Sequence, residues 1–116
     1  MFCSSLPPLA RRAIAASLLL LPTSLPVVAH DAIPTAAMPQ GWSYPFSCCS
    51  GIDCREVSSK AISEKPDGYV IAGTGELVSY SDKRVKESPD GEFHWCSIDG
   101  KADTKTICLF VPPRAY

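Results

Sequence analysis

The sequence contains no asparagine, so it has no N-glycosylation sequon, and it has only two histidines, His30 and His94. It also lacks a C-x-x-C pair, a nucleophile elbow, a phosphate-binding loop, a dinucleotide fingerprint and a calcium loop. Carboxylates that could act in pairs, such as Glu87, Asp90 and Glu92, are interpreted as a solvated turn. Without a nucleophile–base pair or a cofactor motif, we expect a protein that is not an enzyme.

The first 29 residues have the pattern of an export signal. Arg11 and Arg12 precede an apolar run that ends at Pro22, and small residues lead up to Ala29. A spanning helix needs about 20 apolar residues, and this run is shorter. We therefore predict a signal peptide over residues 1–29, cleavage before His30, and a periplasmic or secreted protein that has no membrane span after cleavage.

The remaining chain is short and mildly acidic. Residues 30–116 number 87 and carry 9 basic and 12 acidic side chains, a net charge of −3 with histidine neutral. That length suits one small domain, and the charge excludes a basic surface for nucleic acid or an anionic membrane. We divide the chain into an extended, proline-rich arm (30–46) and a small domain (47–116).

The arm carries three aromatic residues, Trp42, Tyr44 and Phe46, in a segment that has neither a helical nor a strand period. Exposed aromatics beside polar residues often mark contact sites. We predict that these three residues form a contact surface next to the cysteine-rich segment, with a protein or a cell-envelope component as the partner.

The domain is predicted to be mainly β, a disulfide-stabilised antiparallel meander of four or five strands with no long helix. Two nearly identical turns, Lys65-Pro66-Asp67-Gly68 and Ser88-Pro89-Asp90-Gly91, suit three-residue hairpin loops that contain a glycine bulge. Short helical turns at 60–64 and 82–86 are alternatives. The predicted strands are Val57 to Ile62, Tyr69 to Ala72, Glu76 to Tyr80, Glu92 to Ile98, and Thr106 to Val111.

The last two strands permit a register to be predicted. Asp99-Gly100 marks a reversal, and a loop centred on Ala102 places Cys96 opposite Cys108 and His94 opposite Phe110. Because side chains alternate along a strand, Phe93 and Trp95 lie on the face away from His94 and Cys96. We expect the aromatic face to be inward, although the pattern leaves the choice of face open.

Five cysteines follow the export signal: Cys48, Cys49, Cys54, Cys96 and Cys108. Outside the cytosol such a density indicates disulfides, and an odd number leaves one thiol unpaired. We favour bridges from the Cys48/Cys49/Cys54 segment to the hairpin that carries Cys96 and Cys108. A direct Cys96–Cys108 bridge is the alternative. The unpaired sulfur is either a buried, inert cysteine or a reactive or intermolecular one.

The same side chains offer two metal sites as alternatives to disulfides. A zinc site could form from Cys48, Cys49, Cys54, His94 and Cys96, although the C-x₄-C spacing meets the usual ligand pattern only loosely. Cleavage before His30 would also leave an amine and an imidazole that chelate copper, with His94 and a reduced Cys96 as further ligands.

The motifs taken together resemble those of a group of small exported proteins of Gram-negative bacteria that have no assigned activity. They include Cys48-Cys49-Ser50-Gly51-Ile52-Asp53-Cys54, Pro66-Asp67-Gly68-Tyr69-Val70, Ser88-Pro89-Asp90-Gly91 with His94-Trp95-Cys96, and Cys108-Leu109-Phe110-Val111-Pro112-Pro113. The resemblance implies export and paired cysteines. The sequence therefore predicts an exported binding or structural module, with a copper- or zinc-binding protein as the alternative.

Overall fold

The structure is a computed structural model that describes residues 30–113 and the single residue Pro22. The predicted export signal lies outside the described residues, apart from that proline. The described part contains nine short strands and two 3₁₀ helices, and the strands form three antiparallel or mixed sheets. The strands are β1 (Asp31–Ala32), β2 (Trp42–Ser43), β3 (Cys54–Val57), β4 (Ile62–Lys65), β5 (Gly68–Ile71), β6 (Leu77–Ser79), β7 (Val85–Glu87), β8 (Phe93–Ser97) and β9 (Thr106–Val111).

The mainly β prediction is confirmed, but the strands are shorter and more numerous than expected, and the predicted antiparallel meander holds for β4-β5-β6 and is wrong for the sheet β3-β8-β9-β7. The predicted strand from Val57 to Ile62 is interrupted by a 3₁₀ helix at Ser59–Ala61. The Ser58 hydroxyl accepts a hydrogen bond from the Lys60 amide at 3.2 Å and caps that helix, which is a common role of serine at a helix start. The turn separates β3 from β4, so the two strands belong to different sheets.

The largest sheet has the strand order β3-β8-β9-β7. The predicted register is confirmed, since Cys96 pairs with Cys108 and His94 pairs with Phe110. Ser97 then pairs with Thr106, so Ile107 is an extra residue in β9 at an irregularity of the β-bulge kind.

The two predicted hairpin turns have different outcomes, since the first joins β4 to β5 as predicted and the second does not form a hairpin. Lys65 pairs with Gly68, so the β4–β5 hairpin has a two-residue loop and lacks the predicted bulge. Gly68 lies against β6, where an added Cβ would be 2.2 Å from the Val78 carbonyl oxygen. The second turn, residues 88–91, does not join two paired strands, because β7 runs parallel to β9 and is separated from β8 by it.

The two faces of the large sheet carry two different clusters of buried side chains. The apolar cluster fills the space between this sheet and the sheet β4-β5-β6, and the cysteine cluster covers the opposite face. The buried members of the apolar cluster are Ile62, Tyr69, Ile71, Val78, Trp95, Leu109 and Val111. The buried members of the cysteine cluster are Ala32, Tyr44, Cys48, Cys49, Cys54, Cys96, Cys108 and Phe110. Both faces are therefore inward, which explains why the alternation alone could not select one.

The segment 30–46 turns back on itself at residues 35–41, and β1 pairs with β2. Thr35 and Met38 exchange backbone hydrogen bonds of 3.1 and 3.2 Å at the reversal. Gly41 has φ +68°, and a side chain there would lie 2.8 Å from the Ala32 carbonyl oxygen. The resulting hairpin places Ala32 and Tyr44 in the cysteine cluster.

Candidate functional site

Two disulfides involve the cysteine-rich segment: Cys48–Cys108 joins it to β9, and Cys54–Cys96 joins its last cysteine, the first residue of β3, to the neighbouring strand β8. The favoured scheme, loop to hairpin, is therefore the one observed, and the alternative Cys96–Cys108 bridge is not present. Cys49 is the unpaired cysteine. It is fully buried, and its thiol donates to the Gly51 carbonyl at 3.0 Å.

Asp53 fixes the shape of this loop from within. One carboxylate oxygen accepts from the amide and the hydroxyl of Ser50, both at 3.1 Å, and the other accepts from the Asp99 amide at 2.9 Å. Gly100 lies against the loop, since an added Cβ would be 2.7 Å from the Ile52 carbonyl oxygen. The Asp99-Gly100 reversal thus provides both a turn and the close approach that holds the cysteine loop.

A chain of buried side-chain hydrogen bonds connects the N-terminal hairpin to the sheet. Tyr44 lies 2.8 Å from His94 Nδ1, and His94 Nε2 lies 2.8 and 2.9 Å from the two carboxylate oxygens of Asp90. A neutral His94 with its proton on Nε2 satisfies both contacts, because the tyrosine hydroxyl then donates to Nδ1 and the ring donates to the carboxylate. Trp42 Nε1 also donates to Asp90 at 3.1 Å.

Asp90 is the acceptor on which this chain converges. Besides His94 and Trp42, it accepts from the Ser88 hydroxyl at 2.8 Å and the Glu92 amide at 3.0 Å. Burial alone would raise the pKa of Asp90, but the hydrogen bonds from Glu92, His94, Trp42 and Ser88 outweigh it and lower the pKa to about 2. The interpretation of this segment as a solvated turn is wrong for Asp90, which is only 5% exposed because these donors surround it.

The burial of this chain of hydrogen-bonded side chains limits the chemistry that it can perform. His94 is fully buried, Tyr44 is 2% exposed, and both ring nitrogens of His94 have partners. The pKa of the Tyr44 phenol is raised, first by burial and then by the negative charge of Asp90 and the neighbouring Cys49 and Glu56, so the phenol stays protonated and donates. In this conformation the three residues hold the hairpin on the sheet and present no open nucleophile or base.

The predicted metal ligands are not assembled into a site. Cys96 is in a disulfide and cannot act as a thiolate while that bond is intact, and His94 has no free ring nitrogen. His30 is exposed, and its ring stacks near Tyr44 with centroids 6.4 Å apart. Within residues 30–113, no three His, Cys, Asp or Glu side chains come together in a way that could hold a metal ion.

The three residues of the predicted contact surface have different environments. Tyr44 is buried and Trp42 is half-buried against the cysteine cluster, so both contribute mainly to packing and hydrogen bonding. Phe46 is 61% exposed. Sequence reasoning missed Ile52, which is 68% exposed between two disulfide-bonded cysteines, although an apolar residue inside a cysteine-rich loop was a visible signal.

No family model matches this chain, and no curated protein or solved structure matches it either. The resemblance to small exported proteins therefore stays a hypothesis that rests on the motifs. Among the described residues no helix is long and apolar enough to cross a membrane.

Proposed function

We propose that the protein is an exported, periplasmic or secreted binding module that contacts a protein partner through Phe46 and Ile52. The observation that carries this proposal is the exposure of two large apolar side chains beside the disulfide-bonded cysteines, Ile52 between Cys48 and Cys54 and Phe46 two residues before Cys48. Phe46 is 61% exposed and Ile52 is 68% exposed, and both belong to the segment that ends at Cys54.

The rigidity of the loop supports a binding role. Cys48 and Cys54 flank Ile52 with disulfides to β9 and β8, and the Asp53 carboxylate ties the loop to Asp99. Upstream, the amides of Cys48 and Cys49 both donate to the Pro45 carbonyl, at 2.9 and 3.0 Å, which closes a turn around Phe46. A contact surface that is already ordered loses little conformational entropy on binding, so exposed apolar groups on it bind efficiently.

Export is supported by the sulfur chemistry. Two disulfides persist in an oxidising compartment and are rare in a reducing cytosol. The export-signal pattern of residues 1–29 agrees with this compartment. The net negative charge of the remaining chain disfavours nucleic acid as the partner.

Site-specific photo-crosslinking tests the proposed surface. A benzophenone amino acid in place of Ile52 should give a discrete cross-linked protein band in cells that naturally produce the chain. The same amino acid in place of Leu77, which is 51% exposed on β6, is the matched control and should give no such band. A Phe46→Ser substitution should weaken the Ile52 cross-link several-fold.

Phe46 is exposed, so Phe46→Ser should leave the free energy of unfolding unchanged within about 0.5 kcal/mol. A lost cross-link therefore reports on binding instead of folding. Equal cross-linking from positions 52 and 77, or none from 52, would contradict the proposed surface. Cell fractionation of the same strain measures export independently.

A further inference from the structure

The part of the chain that covers the cysteine cluster is attached to the sheet in an unusual way. We call residues 30–49 the N-terminal layer. The backbone hydrogen bonds described for it, the β1–β2 pairs and those at Thr35, Gly41, Cys48 and Cys49, link residues of the layer to one another. The layer is therefore not a strand of the large sheet, and its attachment depends on side chains and on the main chain that continues through residues 50–53 into β3.

Those attachments are few. The Cys48–Cys108 disulfide is the one covalent link between the layer and β9. Tyr44 and Trp42 add hydrogen bonds to His94 and Asp90, and the Trp42 ring packs edge-on against Phe110 with centroids 5.1 Å apart. The residues of the layer that are buried in the cluster are Ala32, Tyr44, Cys48 and Cys49.

The rest of the domain has a core to which the layer contributes nothing. The buried members of the apolar cluster run from Ile62 to Val111, and its half-buried neighbours begin at Val57. Neither group includes a cysteine or a residue of the layer. The two sheets on either side of this cluster can therefore stay packed when the layer is removed from the opposite face.

We propose that the Cys48–Cys108 disulfide controls whether the N-terminal layer is docked on the sheet. A dithiol reductant transfers two electrons and two protons to this bond, which gives the Cys48 and Cys108 thiols while the reductant closes its own disulfide. Without the link, the remaining side-chain contacts do not offset the conformational entropy gained when some twenty residues are released. Release opens His94, Asp90 and Phe110 to solvent, and reoxidation reverses it.

The side chains that surround His94 determine which groups become exposed when the layer is released. Asp90 faces it from the 88–91 turn, Tyr44 and Trp42 face it from the layer, and Phe110 covers it from β9. Undocking removes the contacts that Tyr44 and Trp42 make with the His94–Asp90 pair. His94 then remains on β8, hydrogen-bonded to Asp90 of the 88–91 turn. Reduction thus converts a buried hydrogen-bonded chain into an accessible histidine–carboxylate pair.

Hydrogen exchange on two disulfide variants tests the proposal. Cys48→Ala/Cys108→Ala removes the proposed link, Cys54→Ala/Cys96→Ala is the matched control, and both carry Cys49→Ala to prevent new pairing. Amide exchange over residues 30–49 should accelerate at least about tenfold in the first variant, while β5 and β9 stay protected. In the control variant the layer should keep its protection.

The two tryptophans allow a second measurement on the native disulfides, because Trp42 lies in the layer and Trp95 in the apolar cluster. In a Trp95→Phe background, dithiothreitol should shift Trp42 emission to the red. In a Trp42→Phe background, Trp95 emission should stay unchanged. If dithiothreitol shifted the emission of Trp42 and of Trp95 together, or if exchange accelerated equally over the whole domain of the first variant, the domain would be one cooperative unit. Either result would overturn the proposal. A layer that stays protected after reduction would overturn it as well.

Discussion

The two faces of the large sheet are stabilised by different physical means. The apolar cluster relies on the burial of aliphatic and aromatic side chains between two sheets, without any sulfur bridge. The cysteine cluster packs a segment that precedes the sheet against Cys54, Cys96, Cys108 and Phe110 of the sheet itself, and it combines two disulfides with a buried hydrogen-bonded chain. A small domain can thus use covalent and polar links on the face for which it has too few large apolar side chains.

The magnitudes of the two contributions are comparable. The Cys48–Cys108 bridge closes a sequence separation of 60 residues, and the chain-entropy relation assigns a loop of that length about 4 kcal/mol when Cys54 and Cys96 are not joined to each other. Complete burial of one large apolar side chain contributes about 1.5–3 kcal/mol. One disulfide therefore replaces roughly two core side chains on the cysteine face. Substitutions confined to one face at a time test whether the two faces differ in this way.

Among substitutions that leave both disulfides intact, the largest effect is expected from the apolar face. Leu109 is fully buried at the centre of β9, so Leu109→Ala should lower the free energy of unfolding by about 3 kcal/mol through lost burial and a cavity. Urea unfolding followed by circular dichroism measures this loss. Leu77→Ala, at an exposed position of β6, is the control and should change the value by less than about 0.5 kcal/mol. A loss below about 1 kcal/mol at Leu109 would mean that the disulfides alone maintain the fold.

An intermediate effect is expected from the buried carboxylate of the cysteine face. Asp90→Asn replaces an acceptor of four donors with a group that has one acceptor oxygen, so it should cost about 2 kcal/mol at neutral pH. The pKa of Asp90 is lowered from 3.8 to about 2 in the folded protein. Its stabilisation is therefore complete above about pH 4 and is lost as the pH falls towards 2.

The difference between wild type and Asp90→Asn should accordingly shrink between about pH 4 and pH 2, as measured by urea unfolding across that range. Glu92→Gln changes an exposed carboxylate two residues away and serves as the control. Parallel stability curves for wild type and Asp90→Asn would contradict the proposed role of the buried carboxylate.

The smallest effect is expected from the partly exposed ion pairs near the apolar face. Arg84 contacts Glu76 and Asp82 at 2.8 Å each and donates to the Thr106 carbonyl. Hydrogen bonds from Arg84 lower the pKa of Asp82 to about 2. Arg84→Met should cost no more than about 1 kcal/mol, because the pairs are partly exposed, and high salt should reduce the difference.

An NMR titration should show the pKa of Asp82 moving up towards its usual value in Arg84→Met. Lys83→Met alters the neighbouring exposed charge and is the matched control. If Arg84→Met lowered the free energy of unfolding as much as Asp90→Asn does, and if salt did not change this loss, the ion pairs and the buried network would not differ as we describe.

The sequence predicted those features that depend on local chemistry. Asp99-Gly100 and the strand period of two were enough to pair Cys96 with Cys108, and that pairing is observed. The extra residue Ile107 was not predictable, because a bulge depends on how the whole strand twists. The parallel pairing of β7 was missed as well, since its three residues are only half-buried or exposed and carry no alternating pattern.

The candidate site was predicted in part. The link from the cysteine loop to the hairpin followed from composition and register, whereas His94 was predicted as a metal ligand and not as a member of a buried hydrogen-bonded chain. The burial of Asp90 was not predicted, because a Pro-Asp-Gly sequence is typical of solvent-exposed turns. Its burial comes from Trp42 and His94, and Trp42 is 48 residues away in sequence. The residue preferences of turns depend on local sequence alone, so they cannot predict a hydrogen-bond donor that lies so far away in sequence.

The order of the cysteines along the chain has a consequence for synthesis. Among the five cysteines that follow the predicted export signal, Cys48, Cys49 and Cys54 are made first, whereas the native partners Cys96 and Cys108 follow 42 and 60 residues later. Any bond that forms among the first three before then is non-native, and thiol–disulfide exchange has to open it before β8 and β9 can acquire their proper links. Efficient maturation therefore requires either delayed oxidation or an isomerase that corrects early errors.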